Sequence, residues 1–332
     1  MILGINGSPI EQGNTERLVK YVLENANLEY ELINLRDFDI KPCKACLTCA
    51  KTNICTFEDD DWHLLSSKVV KSDAFVIGGW PPYDMLDART KAFLERTFCL
   101  RHSILLNEGK FGVAIVTGTS NPDKVADDIL EYYESEGIIP IGKVVSSGID
   151  PCWSCGLGDN CVQGTPLSMV RERYRPRRYP YGDRLPSERS IKLTPEIVPP
   201  RVEEQPEVMK DAKRLGKLLF RKLEKREEKR KILLERIIPG SLSMGFIDRL
   251  ITLTEKSQSL HWTDTIEEVR ALLSLLQKAK SHAERKENRD AIETLLEFAR
   301  IVLYRTNGDF NREGSEILMA ETRRSISDLY DF

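Results

Sequence analysis

Cys43-Lys44-Ala45-Cys46-Leu47-Thr48-Cys49, followed by Cys55, places four thiols within one short stretch of a 332-residue chain. Few tasks other than holding metal need so many sulfurs so close together. Two-residue intervals let one tight loop aim three thiolates inward, and the five-residue gap returns the chain with a fourth, which suits a cubane iron-sulfur cluster. Zinc is the main rival, but a structural four-cysteine zinc site usually takes two short pairs on separate knuckles. Inert or regulatory thiols are the remaining alternative. Disulfides are not expected: the first strand starts at Ile2 with no signal peptide before it, and nothing points to an oxidising compartment. The expected setting is cytoplasmic.

A second set, Cys152-Trp153-Ser154-Cys155 and Cys161, repeats part of that spacing in a Gly-rich loop ending near Gly164. Three thiols make a second iron-sulfur cluster only with a further ligand: Cys99, a non-cysteine group or a cysteine from another chain. Zinc, and redox-active or structural thiols, are the alternatives. Cys99 alone reads as a small buried hydrophobe. With a second cluster the protein becomes a short wire, and the arginine-rich stretch 171–178 helps dock an acidic donor such as ferredoxin.

The elements that position these thiols follow from periodicity. Ile2 to Asn6 reads as a buried strand and 15–25 as an amphipathic helix bearing Leu18, Val22 and Leu23. Further strands are expected near 29–35, 74–78, 112–116 and 142–147, with helices over 62–71, 88–98 and 123–136. Strands alternating with helices imply a parallel sheet covered on both faces, here a flavodoxin-like doubly wound α/β sheet of five strands. A closing helix over 206–225 carries Val208, Ala212, Leu215 and Leu219. Beyond Pro239-Gly240 the chain turns all-α, with helices at 244–256, 264–284, 289–304 and 314–329 and a capping box of Asp264 with Glu267. The domain organisation is then a core over 1–150, a Cys- and Pro/Arg-rich insertion over 151–205, a closing helix over 206–236 and a helical C-terminal domain over 240–332. That last unit reads as a small bundle for docking or oligomerisation.

Composition narrows the function. Lys and Arg number 49 against 52 Asp and Glu, a net charge of -3, so there is no basic excess of the kind a dedicated nucleic-acid binder shows. No apolar run approaches the roughly 20 residues of a membrane span. There is no nucleophile elbow, and His63, His102, His261 and His282 lack metal-site spacing. Asp59, Asp60 and Asp61 read as caps for the helix beginning near Trp62.

Directly after the first strand, Gly7-Ser8-Pro9-Ile10-Glu11-Gln12-Gly13-Asn14-Thr15 leads into a helix N-terminus. Backbone N–H groups and the helix dipole suit a phosphate there, with Ser8, Asn14 and Thr15 as added donors. A Walker A ending and a Gly-x-Gly-x-x-Gly fingerprint are both absent.

Together, Gly7-Ser8-Pro9 with Gly13-Asn14-Thr15, the compact cysteines followed by Asp59-Asp60-Asp61, and Trp80-Pro81-Pro82-Tyr83 leading to Lys91-Ala92-Phe93-Leu94-Glu95-Arg96 resemble the NADPH-dependent FMN reductase superfamily. Within it the resemblance is to the iron-sulfur flavoproteins of archaea and anaerobic bacteria. It covers about residues 1–150 and resumes at the closing helix. It implies FMN bound without a covalent link and a 4Fe-4S cluster on Cys43, Cys46, Cys49 and Cys55. Ser8, Pro9, Gly13, Asn14 and Thr15 would hold the FMN phosphate. Pro81, Pro82 and Tyr83 would flank the isoalloxazine ring, and Thr117, Gly118 and Thr119 would form the third flavin-facing loop. Two positions depart from the family pattern: Trp80 replaces a small residue, either to stack on the flavin or a partner or as a packing residue, and Glu95 replaces an aspartate. A homodimer or homotetramer is implied too, with cluster and flavin close across a subunit interface.

The expected activity is an oxidoreductase passing electrons between ferredoxin, or a similar one-electron carrier, and a two-electron acceptor. The alternatives are an NAD(P)H-dependent quinone or flavin reductase without a cluster, and a non-catalytic electron-transfer subunit or redox sensor docked on a larger redox complex through its C-terminal helices.

Overall fold

Short apolar runs bounded by turn residues become the strands of one sheet, and their alternate side chains divide between its faces. The computed structural model describes residues 1–148, 201–263, 265–306 and 310–330; Cys152, Cys155, Cys161 and the 171–178 stretch lie outside the described residues. Strands β1 (Ile2–Asn6), β2 (Tyr30–Asn34), β3 (Ala74–Gly79), β4 (Phe111–Thr117) and β5 (Ile139–Ser146) are parallel throughout, in the order β2-β1-β3-β4-β5. That is the flavodoxin-like order. β1, β3 and β4 are buried at every position, as central strands covered on both faces must be. Pro140 falls in β5, an edge strand, where a missing N–H interrupts no central ladder.

Helix α1 (Asn14–Ala26) and helix α5 (Pro206–Ile237) cover one face, packing Leu18, Val22, Ala212 and Leu215 on Ile2, Val76 and Val113. Helices α2 (Trp62–Lys71), α3 (Ala88–Arg96) and α4 (Pro122–Ser135) cover the other, where Leu65, Phe93 and Ile129 meet Leu3, Ile5 and Phe75.

The closing helix runs on past the apolar spacing of 206–225, through the expected 206–236 span. At 32 residues it runs about 48 Å. Its first half lies on the sheet, while Leu234 and Ile237 join the apolar interior of helices α6 (Phe246–Lys256), α7 (Ile266–Glu284), α8 (Asn288–Arg305) and α9 (Arg312–Leu329). The buried carboxylate of Glu321 accepts from Arg230 of α5 at 2.8 Å and from Arg249 of α6 at 3.0 Å. The N-cap of α7 is Thr265, without a side-chain cap bond, and Asp264 lies outside the described residues.

The bundle is not a separate bead. Its interior is continuous with the sheet face that carries α2, α3 and α4. It also grips the segment around Cys55: Tyr330 Oη donates to Asn53 O at 2.9 Å, Arg300 to Lys51 O at 3.1 Å, and Arg289 pairs with Glu58 at 3.4 Å.

Candidate functional site

The carboxyl ends of β1, β3 and β4 deliver three loops to one edge of the sheet, where open α/β sheets hold ligands. In the first, Gly7 N–H donates to Gly78 O at 2.8 Å, Ser8 N–H to Asn6 Oδ1 at 3.1 Å and Ile10 N–H to Ser8 Oγ at 3.3 Å. Asn6 is itself anchored to Asn34, at the end of β2. Gly13 is the N-cap of α1 and supplies no side-chain cap, so first-turn N–H groups of α1 lack an intrahelical partner. Beside them, Asn14 Oδ1 accepts from Arg17 and from Val202 N–H, while Asn14 Nδ2 is buried with no partner. An orphaned buried amide donor beside an uncapped helix N-terminus is complementary to an anion.

The other two loops close on the first. The hydroxyls of Thr15 and Thr117 pair at 2.5 Å. A Cβ on Gly118 would stand 2.2 Å from Pro81 Cδ, so this close approach requires glycine. Asp87, which the sequence reading did not single out, caps α3: it accepts from Thr90 N–H at 2.9 Å, Thr90 Oγ1 at 2.8 Å and Trp80 N–H at 3.3 Å. A Cβ on Gly7 would lie 1.7 Å from Thr90 Oγ1, so the start of α3 rests on the first loop. Burial pushes the Asp87 carboxyl above its ordinary value. The structure therefore brings Ser8, Gly13, Asn14, Thr15, Pro81, Thr117 and Gly118 into one group. Trp80, Pro82 and Thr119 are half-buried, Pro9 is exposed, and Tyr83 stands in solvent at 90% exposure with φ +54°.

The cysteine loop leaves the same edge after β2. Ala45, Leu47 and Asn53 adopt the left-handed region at φ +51°, +59° and +53°, each costing roughly 1–2 kcal/mol for a residue with a Cβ. Such turns point backbone N–H groups inward, as in many anion and iron-sulfur nests. Ala45 N–H donates to Cys43 Sγ at 3.4 Å, Thr48 Oγ1 contacts Cys46 Sγ at 3.2 Å and Arg96 Nη2 donates to Cys55 Sγ at 3.4 Å. The Thr48 hydroxyl draws the Cys46 thiol below its ordinary value, whereas burial, with the neighbouring thiols adding to it, raises Cys49. Among the described residues, no three of these sulfurs lie within 4.8 Å of one another. Cys99 is buried and gives its thiol proton to Arg96 O at 3.2 Å.

The three aspartates do less capping than their order predicts. Asp60 Oδ1 accepts Trp62 N–H at 3.1 Å, but its other oxygen meets Arg96 in a fully buried ion pair. Asp61 accepts from Asp39 N–H at 2.7 Å, and Asp59 pairs with Lys41 at 3.0 Å. They fasten the return of the cysteine loop rather than serve the helix dipole alone. Sequence spacing marks neither Arg96 nor Tyr330 as part of this arrangement, since their partners lie 36 and 277 residues away.

A cavity of about 730 Å³ separates the cysteine loop from the loop after β3, edged by Cys43, Met85, Leu86, Arg101, Tyr132 and Glu136. Burial raises Glu136 to about 7, against the pull of Arg101, and drives the Tyr132 phenol upward. A second cavity, of about 840 Å³, sits at the amino ends of β3 and β4. Its arginines are already committed: Arg226 to Asp73, Arg230 to Glu321, Arg323 to Glu108 and Arg324 to Glu227.

The flavodoxin-like sheet thus carries an anion cradle and two flanking loops at its carboxyl edge, the place where such sheets hold ligands. Residues 1–148 match the family of NADPH-dependent FMN reductases. The chain is 27% identical over 147 residues to an iron-sulfur flavoprotein of Methanosarcina thermophila, a match spanning 42% of this chain and 76% of the relative. It is 31% identical over 122 residues to an iron-sulfur flavoprotein of Methanocaldococcus jannaschii, spanning 36% and 62%. Among solved structures, the azoreductase AzrA aligns with 65% of this chain and 98% of its own, at 10% identity and a TM-score of 0.40. The NAD(P)H:quinone oxidoreductase from Methanothermobacter marburgensis covers 66% and 96%, at 12% identity and a TM-score of 0.38. No helix among the described residues is long and apolar enough to cross a membrane.

Proposed function

We propose that the protein is an FMN- and 4Fe-4S-dependent oxidoreductase that passes electrons between ferredoxin, or a similar one-electron carrier, and a two-electron acceptor. The observation that carries the proposal is the four-cysteine loop with donors aimed at its sulfurs, set at the same sheet edge as the anion cradle. When bound, FMN exchanges electrons in pairs or singly and the cluster singly, so the two together convert between one- and two-electron partners.

The residues fit both groups. The orphaned Asn14 Nδ2 and the uncapped start of α1 suit the FMN phosphate, with Ser8, Gly13 and Thr15 around it; Pro81, Thr117 and Gly118, with Trp80, Pro82, Tyr83 and Thr119 beside them in the chain, would face the ring. Cys43, Cys46, Cys49 and Cys55 would ligate the cluster. Leu47, Tyr83 and Met85 are exposed, and Met85 lines the cavity; a second copy of the chain covering them would complete a homo-oligomeric site. The family description favours NAD(P)H as an electron source, so a cluster-free NAD(P)H-dependent flavin or quinone reductase is the second reading.

The test is anaerobic purification with iron, acid-labile sulfide and FMN counted per chain, followed by reduction with ferredoxin or NAD(P)H. About four irons and one FMN, with reduction by ferredoxin, is the expected result; about eight irons would assign a second cluster to Cys152, Cys155 and Cys161. FMN without iron or sulfide, reduced by NAD(P)H alone, would overturn the cluster in favour of the second reading.

A further inference from the structure

We propose that Arg96 is the positioning residue of the cysteine loop and, with the cluster bound, the donor of a hydrogen bond to the Cys55 sulfur that raises the cluster's potential. The inference rests on the cluster reading of Cys43, Cys46, Cys49 and Cys55.

Arg96 ends α3, and its guanidinium reaches both ends of the loop at once. Nη1 donates to Lys41 O, two residues before Cys43, at 3.2 Å and to the Asp60 carboxylate. Nη2 donates to Cys55 Sγ at 3.4 Å and to Phe57 O at 3.2 Å. Its plane lies 5.0 Å from the Phe57 ring and 5.5 Å from the Trp62 ring, and Lys44 Nζ stands 3.5 Å from Phe57 on its own account. The side chains of Arg96 and Asp60 are 1% and 0% exposed.

A planar fork with five N–H donors can satisfy two carbonyls, a carboxylate and a sulfur from one point, which the three donors of a single ammonium nitrogen cannot. Water does not compete there, so each bond keeps its directional strength. A hydrogen bond to a ligand sulfur stabilises the more negative, reduced cluster, and a buried positive charge acts in the same sense. Asp60 offsets most of that charge, leaving the N–H···S contact as the part specific to Arg96.

The test begins with the wild-type holoprotein carrying ¹⁵N-guanidino arginine. Pulsed EPR of its dithionite-reduced cluster should show an arginine ¹⁵N coupling, and that coupling should vanish in Arg96→Lys. Potentiometric titration should place the Arg96→Lys and Arg96→Gln clusters at lower potential than wild type, with the Gln variant lower still. A wild-type cluster without arginine coupling overturns the proposal even if the variants misfold. Variants that hold fewer irons per chain, yet leave the retained cluster at the wild-type potential, reduce Arg96 to a structural brace and overturn it too. Absence of iron and sulfide from the wild type overturns the cluster reading, and this proposal with it, by a separate measurement.

Discussion

Asn14 shows how much one side chain decides at the anion cradle. Its carbonyl oxygen is spent on Arg17 and Val202, which fixes the amide so that Nδ2 faces a place where the protein offers no acceptor. A buried donor left unpaired costs about 1–3 kcal/mol, and a phosphate oxygen removes that cost. Asn14→Ala is therefore expected to weaken FMN binding by roughly tenfold, about 1.4 kcal/mol, in fluorescence titrations of the apoprotein. Unchanged affinity would remove Asn14 from the cradle. At this scale, the candidate residues were legible in the sequence and their supports were not. Cysteine spacing and Gly-Asn-Thr at a strand–helix turn are local signals. The Arg96–Asp60 pair, by contrast, needs a helix end and a loop return to meet in the fold, and Asp59-Asp60-Asp61 looks alike for a helix cap and for a buried counter-ion.

Among elements, the tether between α9 and the cysteine loop carries the clearest expectation. Tyr330 follows α9 and its hydroxyl meets the carbonyl of Asn53, a buried residue in the left-handed region whose side chain is also held by Ser103 N–H and Ile104 O. Tyr330→Phe leaves the packing and removes one buried donor, so stability should fall by about 1–3 kcal/mol in urea denaturation. If the cluster is present, its loss to a chelator should also quicken. A variant as stable as wild type, with unaltered release, would make the contact incidental. Apolar runs and helical periodicity locate all five strands and the C-terminal helices to within a few residues, because each must bury a face. They do not tell that α5 passes from one unit into the other, since the apolar spacing named for the closing helix ends at Leu219 and only the fold puts Leu234 and Ile237 in the bundle interior.

For the molecule as a whole, two buried ionisable groups set opposite slopes of stability with pH. Burial holds Lys110 near 7 instead of its ordinary 10.5, with Nζ donating to Val69 O at 2.6 Å and Val70 O at 2.9 Å. Between those values the unfolded chain binds the proton and the folded one does not, so stability rises with pH across that window. Glu136 is raised from 4.5 to about 7 by burial; there the folded state holds the proton that the unfolded state has released, and stability falls as pH rises through that range. Lys110→Met should abolish the first slope and Glu136→Gln the second, seen as wild-type-minus-variant curves of unfolding free energy from pH 4.5 to 10. Parallel curves in either case would show that the group titrates normally in the fold.

The contact between Asn53 and Tyr330 spans 277 positions, and this has a consequence for biogenesis. At about 5–20 residues per second, a ribosome needs on the order of tens of seconds to go from the last of the compact cysteines to the tyrosine that braces them. Through that interval the thiols are made but their supporting wall is not. On the proposed cluster reading, metallation of the finished chain, rather than of the nascent one, is the order of events this connectivity favours, with the sulfurs kept reduced while they wait.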